Sequence, residues 1–303
     1  MWLRGIPLEI WIHQIIICFG LRDMTLLRQV CSWFDVQWSN ALLQQQLSLR
    51  VPQDVKSLQR AVESVVPSLT QSLIRYNCNF INVSLNITIG PGVFIVDRHS
   101  VSINYPRAHG IRHAHNKYNC INVCCNMILV GAGCNKTFIN GGLIIDESIV
   151  KIQNLKLQCS MKEALTVYNG SEVHCSDVII CKSVGVSALW INRSRCTLTD
   201  CIVKHCRYNG IFCDEGGIVN ITGQTAVFNN CIQNYYCTDM GVTCGLLLGP
   251  NSSVLIHAPL TLQKVFHNND DKGGRDYTMA TAILFRNKNV SNFVENYIHV
   301  HLE

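Results

Sequence analysis

The segment GLIIDESIVKIQNLKLQC, residues 142–159, is followed by ALTVYNGSEVHCSDVIIC at 164–181 and by ALWINRSRCTLTDCIVKHC at 188–206. Aligned with two later segments, GIFCDEGGIVNITGQTAVF and GLLLGPNSSVLIHAPLTL, they form three columns of apolar residues. The columns are Leu143, Leu165, Leu189, Ile211, Leu246; Ile145, Val167, Ile191, Cys213, Leu248; and Ile152, Cys175, Leu198, Ile221, Ile256. The step between segments is 22 to 24 residues until a single step of 35.

Within each segment apolar residues alternate with polar ones, and Gly, Asn, Ser and Asp separate the runs. This pattern is typical of short, half-buried strands joined by turns. A repeat of this length without intervening helices predicts a mainly β protein, a right-handed parallel β-helix (a solenoid) over residues 68–303 with six or seven stacked coils. A leucine-rich repeat has a similar period, but its Leu-x-x-Leu-x-Leu-x-x-Asn pattern is absent.

The chain has 17 cysteines. Cys175, Cys196, Cys201 and Cys213 fall in inward columns that Val and Ile occupy in other segments, so we interpret them as reduced core thiols. The odd number and irregular spacing disfavour a disulfide framework.

Helical patterns precede the repeats. Val55, Leu58, Val62 and Val65 have helical spacing and predict a helix over residues 51–67 that caps the open first coil. Residues 1–50 predict a small domain of short amphipathic helices. Its first apolar run is too short to span a membrane and lacks the charge and cleavage site of a signal peptide.

The N-terminal pattern resembles an F-box. Ile6-Pro7-Leu8-Glu9-Ile10 stands where that family has Leu-Pro-x-Glu-Leu, and Val30-Cys31-Ser32-Trp33-Phe34 stands where it has Val-Cys-Lys-x-Trp. Ser32 replaces the lysine and Phe34 takes the tryptophan position. The resemblance implies that the adaptor Skp1 binds Ile6, Pro7, Leu8, Ile10, Leu27, Val30, Phe34 and Trp38.

Residues 85–96, LNITIGPGVFIV, and residues 126–142, NMILVGAGCNKTFINGG, resemble the first coils of pectin-lyase-like β-helices, including those of F-box β-helix proteins. The two resemblances together imply a substrate-recognition subunit of an SCF-type E3 ubiquitin ligase. Such a subunit is not an enzyme. It joins a cullin through Skp1, binds a target protein, and works in the cytoplasm or nucleus, or in the host cytoplasm if the chain is viral.

Known β-helix enzymes carry residues that this chain matches only in fragments, NNDD at 268–271 and AHG at 108–110. Asp177 and Asp200 fall between strands, where turn residues are expected. His109, His113 and His115 precede Cys120, Cys124 and Cys125 without the paired spacing of a zinc site, so a surface insertion is the preferred interpretation and a metal site the alternative. The net charge of +5 is scattered, which disfavours nucleic-acid binding. We expect no cofactor and no membrane partner.

Eight Asn-x-Ser/Thr sequons support an alternative, a secreted or surface β-helix that binds or modifies carbohydrate. They begin at Asn82, Asn86, Asn135, Asn169, Asn192, Asn220, Asn251 and Asn289. Asn and Ser are also common turn residues, which explains the same sequons without glycosylation.

Three insertions interrupt the period, at residues 104–126, 233–242 and 267–276. Because extra residues in a solenoid bulge outward and mark a binding face, we expect the target there. Aromatic and arginine side chains are the usual anchors of interfaces, which selects Arg112, Tyr235 and Tyr236.

Overall fold

The structure is a computed structural model of the chain. It describes residues 48–65, 85–97, 99–100, 117–232, 244–269 and 300–302. No helix within these ranges is both long and apolar enough to cross a bilayer.

The predicted parallel β-helix is confirmed. Its coils have three faces, and the chain passes from face C to face A to face B before it enters the next coil. Face A contains β1 (Ser48–Val51), β2 (Leu85–Ile89), β7 (Met127–Gly131), the first half of β10 (Ile149–Gln158) and of β12 (Glu172–Cys181), β14 (Arg195–Thr199), β17 (Ile218–Thr222), β20 (Ser253–Ile256) and β22 (Val300–Leu302).

The other two faces are built in the same way, and every strand pairs in parallel with its neighbours on its own face. Face B contains β3 (Gly92–Ile95), β8 (Thr137–Asn140), the second halves of β10 and β12, β15 (Ile202–Lys204), β18 (Ala226–Phe228) and β21 (Phe266–His267). Face C contains β6 (Cys120–Val123), β9 (Gly142–Asp146), β11 (Leu165–Tyr168), β13 (Ser187–Asn192), β16 (Asn209–Asp214) and β19 (Leu246–Leu248).

Three small elements lie outside the coils. Strands β4 (His99–Ser100) and β5 (Lys117–Tyr118) form an antiparallel pair. Helix α1 (Leu58–Arg60) begins at its N-cap Ser57 and continues as a π-helical turn, Ala61–Val65. Helix α2 (Leu262–Val265) precedes β21 and has Thr261 as its N-cap.

Strand register confirms all three apolar columns. Leu143, Leu165, Leu189, Ile211 and Leu246 are successive Cα partners on face C, and so are the residues of the second column. The third column, from Ile152 to Ile256, is in register on face A. All three columns are buried in one continuous core. The period predicts the register because a slip of one residue would turn every core side chain outward.

Each corner of a coil is made by a residue with positive φ. Asn154, Asp177 and Asp200 have φ of 53° to 54° where faces A and B meet. The corner between faces B and C uses Cys159, Lys182, His205, Asn229 and Asn268, and the corner between faces C and A uses Glu147, Asn169, Arg193, Glu215 and Asn251. Left-handed geometry costs an ordinary residue about 1 kcal/mol, less for Asn and Asp. The repeated Asn and Asp of the sequence therefore have a conformational role.

The solenoid extends beyond its predicted limit at the N-terminal end. Strand β1 pairs with β2, so the parallel sheet includes Ser48, ahead of the predicted start at residue 68. Within the helix expected over residues 51–67, the segment from Leu58 to Val65 is helical and lies in the chain between two strands of face A. Among the described residues, six coils have a strand on all three faces, within the six or seven expected.

Candidate functional site

The interior cysteines lie where the columns place them. Cys175, Cys196, Cys201 and Cys213 are buried and are not part of a disulfide. Burial raises the pKa of the Cys213 thiol to about 12. These four cysteines are core side chains.

Asp177 and Asp200 are corner residues, in agreement with the turn interpretation. The Asp200 carboxylate accepts a hydrogen bond from the backbone N–H of Gln224 in the next coil at 2.7 Å. This hydrogen bond links equivalent corners of two successive coils. The arrangement is that of a structural turn.

Asn269 of the NNDD segment belongs to a ladder of side-chain amides inside the coils. Asn269 is buried, and its Oδ1 accepts a hydrogen bond from Asn230 Nδ2 at 2.9 Å. Asn269 Nδ2 donates to the carbonyl of Val227, and Asn230 Nδ2 also donates to the carbonyl of Val203. The side-chain amides of Asn230 and Asn269 pair with backbone carbonyls at the corner, where the strands no longer do so. These hydrogen bonds join successive coils.

The predicted cysteine and histidine group divides between two environments. Cys120 is buried inside the coil with its Sγ 3.8 Å from Ser160 Oγ, whereas Cys124 is exposed. The three histidines of the group, His109, His113 and His115, lie outside the described residues. Within the described ranges, no three His, Cys, Asp or Glu side chains come together as a metal site requires.

Six of the eight sequon asparagines are described, and several have structural roles. Asn192 is 6% exposed. Asn169 and Asn251 occupy left-handed corner positions, and Asn169 Nδ2 donates to Asp146 Oδ1 at 2.8 Å. Asn220 Nδ2 lies 3.5 Å from Thr197 Oγ1. These positions fit the interpretation of Asn as a turn and ladder residue; Asn82 and Asn289 lie outside the described residues.

The outward side of face C is covered. Ile144, Thr166, Phe212 and Leu247 alternate with the interior columns, yet all four are buried, Ile144 to 1% exposure. Phe212 and Leu247 form a second apolar cluster with Cys244, against which Trp190 packs. Trp190 stacks on Phe212 with ring centroids 6.1 Å apart. Face C is therefore not open for binding a partner.

Face A is open and polar. Its outward residues on the central strands are in register and form two columns: Lys151, His174, Thr197, Asn220; and Gln153, Ser176, Thr199, Thr222. The hydroxyls of Thr199 and Thr222 are 2.8 Å apart, and Glu172 pairs with His174 at 2.9 Å. Much of the hydrogen-bonding capacity of face A is satisfied between its own side chains.

Face B is open and apolar. Val93 and Ile95 at its first strand are 57% and 75% exposed. The outward positions of later strands are half-buried and include Phe138, Ile179, Ile202, Ala226 and Phe228. Sequence reasoning missed this surface, although the uninterrupted apolar run VII at residues 178–180 signals that an outward position is apolar too.

A buried ion pair lies at the corner between β10 and β11. Lys162 Nζ is 3.9 Å from Glu163 Oε2 and 5.4 Å from the centre of the Tyr118 ring. Glu163 Oε1 accepts a hydrogen bond from the backbone N–H of Val186 in the next coil at 3.0 Å. Burial lowers the pKa of Lys162 to about 8, against the pull of Glu163. The pair cross-links two coils, and no pattern in the sequence indicates that these charges are buried.

The insertions leave the coils at one corner. The chain passes into them after β3, after β18 and after β21, each of which is a strand of face B. The predicted target anchors Arg112, Tyr235 and Tyr236 lie outside the described residues. So do the predicted Skp1-binding residues Ile6, Pro7, Leu8, Ile10, Leu27, Val30, Phe34 and Trp38.

No family model matches the chain, and no curated protein matches it either. Among solved structures, the chain is similar to one described as Geobacillus virus E2 ORF18, with 8% sequence identity and a TM-score of 0.34. The match covers 75% of this chain and 55% of that chain. At this TM-score the similarity indicates neither a family nor a function.

Proposed function

We propose that this chain is the substrate receptor of an SCF-type ubiquitin ligase, with residues 1–50 bound to Skp1 and the β-helix bound to a target protein. The observation that carries the proposal is the F-box-like pattern from Ile6 to Trp38, which precedes a β-helix with two open faces. A small helical domain with an apolar surface needs a partner to cover it. A solenoid with open faces provides the complementary part, an extended binding surface.

The receptor accelerates ubiquitin transfer by proximity. It holds the target near the charged conjugating enzyme, which raises the effective concentration of the target without a chemical step on the receptor itself. The β-helix suits this role because nine parallel strands of face A, in continuous register, form a stiff arm. Arg112, Tyr235 and Tyr236, in the insertions, are the proposed anchors for the target.

Capture of purified Skp1 by the full chain tests the proposal. Replacing Pro7 and Leu8 by Ala removes apolar contacts and weakens capture by about 1 to 3 kcal/mol, or roughly 5- to 150-fold. Leu255→Ala on face A is the matched control because it also truncates an apolar side chain, and it leaves capture unchanged. Circular dichroism verifies that each variant keeps its strand signal. Equal Skp1 capture by the wild-type chain and the Pro7/Leu8 variant would exclude the proposed role.

A further inference from the structure

The outward side of face B carries a column of apolar residues interrupted by one lysine, and we call this column with Ile95 and Phe228 the strip. Val93 is in register with Phe138, and Phe138 is in register with Lys156 of the next strand. The same column continues through Ile179, Ile202 and Ala226. With Ile95 at one end and Phe228 at the other, the strip crosses six strands.

Two lysines, Lys156 and Lys204, lie on the strip. Lys156 Nζ lies 5.5 Å from the centre of the Phe138 ring, and Lys204 Nζ lies 5.7 Å from that of Phe228. The seven strand segments of face B contain no Asp or Glu. Burial raises the pKa of the Cys181 thiol, and the positive charges of Lys156, Lys182 and Lys204 act against that rise. All three lysines therefore lie near Cys181 on the central strand β12.

Both edges of the strip carry mixed charge. Lys182, Arg207 and Asp97 lie at the corner between faces B and C. Asp177, Asp200, Lys136 and Lys264 lie between strands of faces A and B. The positive charge that accompanies the apolar side chains therefore lies within the strip itself, at Lys156 and Lys204. A protein segment with acidic side chains among its apolar ones complements this arrangement.

The size of the strip limits what it binds. Six strands spaced by about 4.8 Å and three residues of about 3.3 Å give a surface of roughly 24 by 10 Å, about 240 Å². A stable dimer buries about 800 Å² on each partner, so a second copy of this chain is too large an occupant for this strip. A single segment of a partner protein fits.

We propose that face B binds a short segment of the target protein that combines apolar side chains with acidic ones. The apolar side chains pack on Val93, Ile95, Ile179 and Ile202, and the acidic ones pair with Lys156 and Lys204. The assignment of this segment to a ubiquitylation target rests on the proposed function above. The binding itself needs no Skp1, so the two proposals fail separately.

Fluorescence anisotropy with a labelled peptide tests the inference. The probe is a 12-residue peptide in which Glu alternates with Val, and the control peptide has Lys in place of every Glu. We expect the Glu peptide to bind the full chain, and the double variant Lys156→Glu/Lys204→Glu to weaken binding at least tenfold. Lys151→Glu, the same charge reversal on face A, changes binding less than twofold.

A second pair of variants tests the apolar contact. Ile95→Asp on β3 weakens binding of the Glu peptide at least tenfold, whereas Thr88→Asp on the neighbouring strand β2 of face A leaves it within twofold. The strand signal and melting temperature of every variant are measured to verify folding. Both lysines and Ile95 are at least partly exposed, so these changes do not disturb the core.

Four results would overturn the inference. The first is that the Glu peptide does not bind, and the second is that the Lys peptide binds equally well. The third is that the face A variants lose as much affinity for the peptide as the face B variants do. The fourth is that the peptide does not bind while the wild-type chain binds phosphatidylserine vesicles and the face B variants do not. The last result would assign the strip to a membrane. None of them involves Skp1, so each leaves the capture experiment of the previous section unaffected.

Discussion

Raising the pH from 8 to 10 in the presence of a reductant should destabilise the β-helix through its interior cysteines. Burial raises the thiol pKa of Cys120 and Cys213 from 9.0 to about 12 and that of Cys206 to about 11. The pKa of Cys201 is also raised by burial, and that of Cys175 by its hydrogen bond with Cys196 and by burial. The folded pKa is the higher one, so the stabilising contribution is complete below pH 9 and is lost as the pH rises toward the folded pKa.

The size of the effect follows from these pKa values. Between pH 8 and pH 10 each of Cys120, Cys206 and Cys213 reduces the free energy of unfolding by about 1.3 kcal/mol, so these three thiols reduce it by about 4 kcal/mol. Cys175 and Cys201 change it in the same direction. Lys162 acts in the opposite direction because its folded pKa of about 8 lies below its usual 10.5. Its contribution rises by about 2 kcal/mol over the same interval. The three thiols and Lys162 together leave a net loss of about 2 kcal/mol, to which Cys175 and Cys201 add, and this is a sizeable part of a typical stability of about 5 to 15 kcal/mol.

Urea unfolding at pH 8 and pH 10, followed by circular dichroism, measures this loss. Cys213→Val removes one titrating thiol, so the difference between the two pH values shrinks by about 1.3 kcal/mol. Ile191→Val is the control, since Ile191 is the Cα partner of Cys213 in the same column. It lowers stability by about 1 kcal/mol at both pH values.

Two outcomes would refute this reasoning. A wild-type protein that is as stable at pH 10 as at pH 8 would mean that the interior thiols do not keep raised pKa values. An unchanged pH difference in Cys213→Val would mean that the loss comes from other groups.

Three further predictions concern packing, the amide ladder and the insertions. Gly131→Ala places a Cβ against the backbone carbonyl of Asn154 and should lower the free energy of unfolding, measured by urea titration, by about 3 kcal/mol. The control Gly170→Ala meets no atom within 4 Å and should cost about 1 kcal/mol because of its positive φ. Equal losses in the two variants would contradict the argument that Gly131 is needed for close contact between coils. Asn230→Leu leaves the backbone N–H of Cys206 and the carbonyl of Val203 unpaired and should cost about 3 kcal/mol of unfolding free energy. It should lower the melting temperature more than Asn229→Leu does at the exposed neighbouring position. Shortening residues 233–242 to restore the period should keep the strand signal and change the set of co-purifying proteins; an unchanged set for all three insertions would remove Arg112, Tyr235 and Tyr236 as anchors.

The sequence determined the register because the repeat carries it many times over. Each column has an apolar residue in all five aligned segments, and a step of 22 to 24 residues, with one step of 35, aligns the columns. Strand β1 was missed because SLRV is one short segment, separated from its partner β2 by more residues than the period allows.

The character of the faces could not be read in the same way. LII at 143–145 and VII at 178–180 look alike, yet outward Ile144 is covered and outward Ile179 is half-exposed. What differs is the surroundings of the two faces, and a local pattern does not contain that information. The burial of Lys162 and Glu163 is likewise absent from any local pattern, because it depends on contacts with other coils.

The three insertions depart from one corner of the coil, the corner between faces B and C, where connecting segments range from a few residues to more than ten. The corner between faces A and B also varies in length, from the single residue Asn154 to the segment that contains α2. The corner between faces C and A stays at two to four residues in every coil that the structure describes. Length can therefore change at two of the three corners while the strands of neighbouring coils keep their register. Exchange of loops at these two borders would alter the surface of the molecule and leave its stacked core in place.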